Sequence, residues 1–274
     1  MSVSDHPLPG QSARLAGLTT YVFGGGGGPD GVTNGEAAAV TYARAGAAIA
    51  VIDVDPDAAR WTVEHVRREG GDAVAVTADV TDESQVAAAV ERASDAVGAA
   101  DVVHNNVGAT VIGNPVDLSY EAWRRAFVLN VDSVFLTAKF TLPAMLERGR
   151  GAFVNVSSIA GLRHVGYEFP AYMASKGAVN QVTVSLALTY ADRGIRANAV
   201  APGFIDTPLV RKQLASQAGS IDELLAARNA MSPTGQMGTP WHVAHAALFL
   251  ASPEAAYVNG VCLPVDGGLA MRSG

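Results

Sequence analysis

Short runs of apolar and β-branched residues alternate with longer helix-patterned stretches along almost the whole chain of 274 residues. Residues 18–23, 48–53, 73–78, 101–105, 152–157, 196–201 and 261–265 are compact apolar runs bounded by turn formers, which predicts strands. Between them lie helix patterns over 36–45, 56–69, 83–97, 123–148 and 172–191. Several end at glycine: Gly46, the Gly70-Gly71 pair, and Gly149 with Gly151; Asp82 is placed to cap the third. Strands that are apolar throughout belong to sheets covered on both faces. The alternation therefore predicts an α/β fold, a Rossmann-like doubly wound parallel sheet of about seven strands. Residues 202–240 hold no strand pattern, and a segment of that length predicts a substrate lid around 203–238. No composition break marks a second unit, so residues 15–274 are expected to form a single domain behind a loose tail, 1–14.

Composition narrows the function. Hydrophobic residues make up 49% and charged residues 16%, against about 25% charged in an ordinary domain. That deficit points to a large sheet core or to surface hidden by oligomerisation. The net charge of −7 argues against nucleic-acid and anionic-membrane partners, which require a basic face. No apolar stretch is long enough to predict a membrane span, and the first residues lack a signal-peptide core. The lone Cys262 allows no intrachain disulfide and suits a reducing compartment, so a cytoplasmic location is expected. Cys262 itself is expected to be a small buried apolar residue.

Residues 23–39, FGGGGGPDGVTNGEAAA, follow a strand pattern and run into a helix; the next strand ends on Asp53. Strand, glycine loop, helix and strand-end acid is the order of a dinucleotide-binding unit, not of a linker. A helix starting near Gly35 offers unpaired N–H groups to a phosphate, with Thr33 or Asn34 as its cap. Tyr172 and Lys176 stand one helical turn apart, close enough for the ammonium to lower the phenol pKa into a useful range. Alone such a pair usually marks a surface contact. Ser157-Ser158 and Asn105-Asn106-Val107-Gly108 each follow a strand, where doubly wound folds bind ligands. A strand-end hydroxyl can equally satisfy local backbone. Asn130 sits inside a helical pattern, where its amide serves either neighbouring backbone or chemistry.

Taken together these residues resemble the short-chain dehydrogenase/reductase family, in its compact single-domain branch. The resemblance runs from about Leu18 to Leu269. It rests on Asp79-Val80, Asn105 to Gly108, Asn130, Ser158, Tyr172, Lys176, Arg196-Ala-Asn198, the Pro202 to Thr207 stretch and Asp266-Gly-Gly268. It implies Tyr172 as general acid/base, Lys176 lowering its pKa and holding the nicotinamide ribose, Ser158 on the substrate oxygen, and Asn130 anchoring a relay water. Gly24, Asn34 and Gly35 are implied at the phosphates, although the glycine loop is about five residues longer than the family's and Phe23 replaces its threonine. Asp53, with Val54, would meet the adenosine ribose and select NAD over NADP, since more acids and no base follow. Asp79 and Val80 would flank the adenine. Asn106, Val107 and Gly108 would line the cofactor, and Pro202, Gly203, Ile205 and Thr207 would border the nicotinamide and phosphates.

The resemblance further implies a small-molecule secondary alcohol or ketone as substrate and a homotetramer, with residues 258–269 as a candidate interface. Thr110, Val111, Ile112, Leu162, Arg163, His164, Tyr167, Phe169, Phe204 and the 208–235 segment would line a mostly hydrophobic pocket suited to a ring-bearing substrate. Arg163 and His164 would either grip a carboxylate or form a solvated loop pair. No His/Cys/Asp cluster has metal-ligand spacing, so no metal is expected. A dihydrodiol or sugar dehydrogenase of the same family is the alternative, and a catalytically silent dinucleotide sensor a further one.

Overall fold

The computed structural model describes residues 13–215 and 220–272. Residues 1–12 of the expected tail and 216–219 of the expected lid lie outside the described residues. In chain order the elements are β1 (Thr19–Phe23), α1 (Asn34–Arg44), β2 (Ala48–Asp53), α2 (Pro56–Arg68), β3 (Ala73–Thr77), α3 (Glu83–Val97), β4 (Val102–Asn105), α4 (Tyr120–Phe127), α5 (Ser133–Arg148), β5 (Gly151–Val156), α6 (Pro170–Thr189), β6 (Ile195–Pro202), α7 (Pro208–Ala215), α8 (Ile221–Met231), α9 (Pro240–Ala251) and β7 (Cys262–Val265). The strands form one seven-stranded sheet in the order β3-β2-β1-β4-β5-β6-β7. Every pairing is parallel. The order reverses between β1 and β4, and the loops leaving those strands part there, which opens a crevice at their carboxyl ends.

The alternation of side chains along each strand builds two cores. Val22, Ile49, Val51 and Val154 pack against α1 and α9 with Tyr42 and Leu248. Tyr21, Phe23, Ile52, Val103 and Phe153 point to the other face, against Met145 and Leu136 of α5. Helix α9 escapes the helix pattern because its residues, WHVAHAALFLA, are apolar nearly all round and show no one-sided stripe. The expected lid, 203–238, contains α7 and α8. Arg14, at the end of the expected tail, donates to both Glu254 carboxylate oxygens at 2.7 and 2.5 Å. The single helix expected over 123–148 is interrupted by a π-helical turn, Val128–Asp132, between α4 and α5. A π turn absorbs one extra residue and changes which side chain faces inward; here it turns Asn130 inward, 1% exposed.

Family-like residues away from the crevice hold the frame. Arg196 donates to the carbonyls of Leu250, Ala251 and Ser252 at the end of α9. Asn198 bonds Val258 and Val261. Asn105, at the end of β4, faces away from the crevice and joins Asn155 and Thr137 in a buried amide and hydroxyl network.

His104, the preceding residue, is buried with Nδ1 2.9 Å from the Tyr42 hydroxyl. Burial pushes the imidazole down from 6.5 to about 3, so it is neutral in the folded protein. An unfolded histidine protonates near 6.5, so this stability is present above that pH and is lost as pH falls from 6.5 towards 3. Between pH 7.5 and 4.5 the loss from this residue is on the order of 3 kcal/mol. Urea unfolding should therefore show a flatter acid limb in His104→Gln than in the wild type.

Candidate active site

The crevice is a cleft of about 640 Å³ running from Asp53 and Asp79 at one end to Ser158, Tyr172 and Lys176 at the other. The glycine run forms one wall and is packed, not slack. Gly24 adopts a left-handed φ of +73°, and a Cβ there would meet Val107 at 2.8 Å. Its carbonyl accepts from Asn106 Nδ2 at 2.8 Å. Gly26 donates its N–H to Asp53 Oδ2 at 2.8 Å, and a Cβ on it would strike that carboxylate. The long loop is thus anchored on the same acid that ends β2.

Thr33, not Asn34, caps α1: its Oγ1 accepts from Glu36 N at 3.0 Å. The first-turn N–H groups of Asn34 and Gly35 have no partner within the helix, which is the condition for holding an anion. Asn34 lines the cleft, and its side-chain oxygen is buried with no hydrogen-bond partner. Gly35 does not line the cleft. It lies beneath the loop, where a Cβ would sit 2.0 Å from the Gly24 carbonyl oxygen, so its smallness sets the close approach of loop and helix. These unpartnered donors, the buried amide and the glycine cradle fit a dinucleotide.

The catalytic candidates converge at the far end. Tyr172 and Lys176 are successive inward positions on α6, and Ser158 follows β5. The Ser158 and Thr110 hydroxyls stand on the phenol's side of the cleft and act to lower its pKa. Ser158 Oγ also accepts from Ala160 N at 3.1 Å. Ser157 points elsewhere and donates to the Lys176 carbonyl at 3.2 Å. Lys176 Nζ, 5.9 Å from the Tyr172 ring centre, donates to the Val156 carbonyl at 2.8 Å. Asn130 supports this end from behind. Its Oδ1 accepts from Ala109 N at 2.9 Å, and its Nδ2 donates to Ala109 O at 3.2 Å and Ser175 Oγ at 2.9 Å. Both Nδ2 protons and one Oδ1 lone pair are thus used within the protein, and the side chain holds the loop after β4.

The electrostatics correct one expectation. Burial raises the Tyr172 phenol above its ordinary value, and the Ser158 and Thr110 hydroxyls oppose that rise. Desolvation of a phenolate therefore outweighs any help from Lys176 in the protein alone. Burial also pushes Lys176 down, to about 8. The lysine is held close to losing its charge rather than lending it in full.

Asp53, Val54, Asp79, Val80, Asn106, Val107, Gly108, Pro202, Gly203, Ile205 and Thr207 all line the cleft. So do Gly26 and Thr33 of the glycine loop, Leu209 and Val210 of the expected 208–235 segment, and Thr81, Arg125, Val128 and Leu129, which sequence patterns did not single out. Of the expected substrate-pocket residues, Thr110 lines the cleft, and a smaller adjoining cavity holds Thr110 and Val111. Ile112, Leu162, Arg163 and His164 are exposed. Among the described residues no group of three His, Cys, Asp or Glu could hold a metal ion, and no helix is long and apolar enough to cross a membrane.

A parallel sheet that reverses at β1 and β4, a glycine cradle and a Ser-Tyr-Lys end define a dinucleotide-binding oxidoreductase. The family model described as enoyl-(acyl carrier protein) reductase matches residues 32–270. The chain belongs to the short-chain dehydrogenase/reductase family. It is 42% identical over 236 residues to cis-4-hydroxycyclohexanecarboxylate dehydrogenase of Sinomonas cyclohexanicum, covering 85% of this chain and 91% of that one. It is 34% identical over 260 residues to 2,5-dichloro-2,5-cyclohexadiene-1,4-diol dehydrogenase LinX of Sphingobium indicum, covering 93% and 97%. A Burkholderia xenovorans protein solved as a short-chain dehydrogenase/reductase superimposes with a TM-score of 0.92 at 38% identity, covering 96% of this chain and all of that one. Proteins of this family generally use a nicotinamide cofactor.

Proposed function

We propose that the protein is an NAD(H)-dependent dehydrogenase that interconverts a ring-bearing secondary alcohol and its ketone. The observation that carries this reading is the convergence of Ser158, Tyr172 and Lys176 at one end of a cleft whose other end carries Asp53. Two relatives named for cyclohexane- and cyclohexadiene-based alcohols support the substrate class. When bound, the nicotinamide supplies the acceptor or donor of a hydride. Ser158 fixes the substrate oxygen, and Tyr172 takes the hydroxyl proton in oxidation or returns it in reduction. Lys176 would hold the nicotinamide ribose, and the part of its charge that burial leaves would favour the phenolate. Asn130 keeps the Gly108–Thr110 strip in place, and water relayed past Lys176 carries the proton away. A screen of cyclic secondary alcohols followed at the nicotinamide absorbance tests this; no turnover with any of them in either cofactor would sink it.

Asp53 carries the cofactor preference. Its carboxylate is fixed by Gly26 N at 2.8 Å and Asp55 N at 3.1 Å, leaving lone pairs for the adenosine ribose hydroxyls. A 2′-phosphate would meet this charge directly, so NAD should be favoured over NADP by on the order of a hundredfold in kcat/KM. Asp53→Ser should shrink that ratio by at least about tenfold. An unchanged ratio would reject Asp53 as the selector. For assembly, the homotetramer reading is supported by the exposed apolar side chains Phe135, Leu188 and Tyr257.

A further inference from the structure

From the catalytic phenol a line of aromatic rings leads outward. Phe169 stands edge-on to Tyr172, centroids 5.5 Å apart. Tyr167 stacks on Phe169 at 5.6 Å, and Phe204 meets Tyr167 edge-on at 6.3 Å. Arg228 of α8 closes the line. Its guanidinium carbon lies 5.1 Å from the Phe204 ring centre and 5.7 Å from that of Tyr167. Helix α8 of the expected lid thus adds a cation to this row of rings.

Among the described residues this cation has no counter-charge. Its Nε is buried with no hydrogen-bond partner, and among the described residues no carboxylate forms an ion pair with it. The other basic side chains of these loops differ. Arg211 is held by Asp206 through bonds of 2.7 and 2.6 Å, and Arg163 and His164 stand in solvent. Two ring faces attract a guanidinium, yet they give its Nε no hydrogen-bond acceptor and, among the described residues, no carboxylate offsets its charge. A buried donor left unmade costs about 1–3 kcal/mol, and a carboxylate matches the planar guanidinium fork in two parallel charge-assisted bonds.

We propose that Arg228 is the anion-recognition residue of the substrate pocket, and that the alcohol carries a carboxylate at the end of its ring remote from the hydroxyl. This rests on the reading of Tyr172 as acid/base. Ser158 and Tyr172 take the hydroxyl, the apolar ring lies along Phe169 and Tyr167, and the carboxylate meets the guanidinium.

The test uses the intact protein with NAD. Turnover of cyclohexanol and of cis-4-hydroxycyclohexanecarboxylate is compared in the wild type, in Arg228→Met, which preserves most of the stem, and in Arg228→Lys. The wild type should favour the carboxylate-bearing alcohol by about tenfold or more in kcat/KM, chiefly through KM. Arg228→Met should lose that preference, and Arg228→Lys should keep part of it. In parallel, cyclohexanecarboxylate, which has no hydroxyl to oxidise, should bind the protein–NAD complex about tenfold more weakly in Arg228→Met. Equal binding by the two proteins, or an equal fall in kcat/KM for both alcohols, overturns the proposal and leaves Arg228 as a packing clasp. If neither alcohol turns over while cyclohexanecarboxylate binding still depends on Arg228, the anion site stands and the dehydrogenase reading fails.

Discussion

Replacing Tyr172 with phenylalanine is expected to lower kcat by about a thousandfold or more, because the ring keeps its packing while the transferred proton loses its carrier. Tyr172 is half-buried and stands edge-on to Phe169, so the variant should fold and bind NADH as the wild type does. Stopped-flow turnover and NADH fluorescence titration measure the two effects separately. The pH profile adds a sign. Burial raises the phenol, so the free protein holds it protonated through neutral pH, ready to act as an acid in ketone reduction. Alcohol oxidation requires the phenolate, so its kcat/KM should climb with pH through and above neutrality. A near-normal kcat in Tyr172→Phe would remove Tyr172 from the chemistry.

Gly35→Ala should be the most damaging single methyl in the cofactor half. Its Cβ would stand 2.0 Å from the Gly24 carbonyl oxygen, a contact between two backbone segments that no side-chain rotation relieves. Either the loop or α1 must shift, and the Asn106 bond to that carbonyl is lost with it. We expect a stability loss of about 2–4 kcal/mol. NADH binding should weaken by about a hundredfold, as the unpaired N–H groups leave their positions. Gly28 is the matched control: a Cβ there meets nothing within 4 Å. Gly28→Ala should leave both thermal midpoint and NADH affinity close to wild type. Equal behaviour of the two variants would mean that the glycine run is a slack tether after all.

Those two positions mark where the sequence was legible. The run of glycines after a strand signalled a phosphate cradle, because few other contexts tolerate so many residues without side chains. It did not reveal that Gly35 sits under the loop rather than on the cleft wall, since that depends on the path of Gly24 across it. Similarly, Asn105 and Asn106 are adjacent in sequence, yet one faces a buried network and the other the glycine loop. Thr110 shares the cleft with Tyr172, and the Asn130 amide holds the backbone of Ala109 beside it.

The chain by itself determined the seven strands, their parallel pairing and the Tyr172–Lys176 spacing, because burial on both faces and helical repeat leave local periodic traces. Only the tertiary structure decided the π-helical turn at Asn130, the burial that raises the phenol, and the meeting of Arg228 with Phe204 and Tyr167. These join segments far apart in sequence, and desolvation depends on everything packed around a group, so no single stretch of residues carries that information.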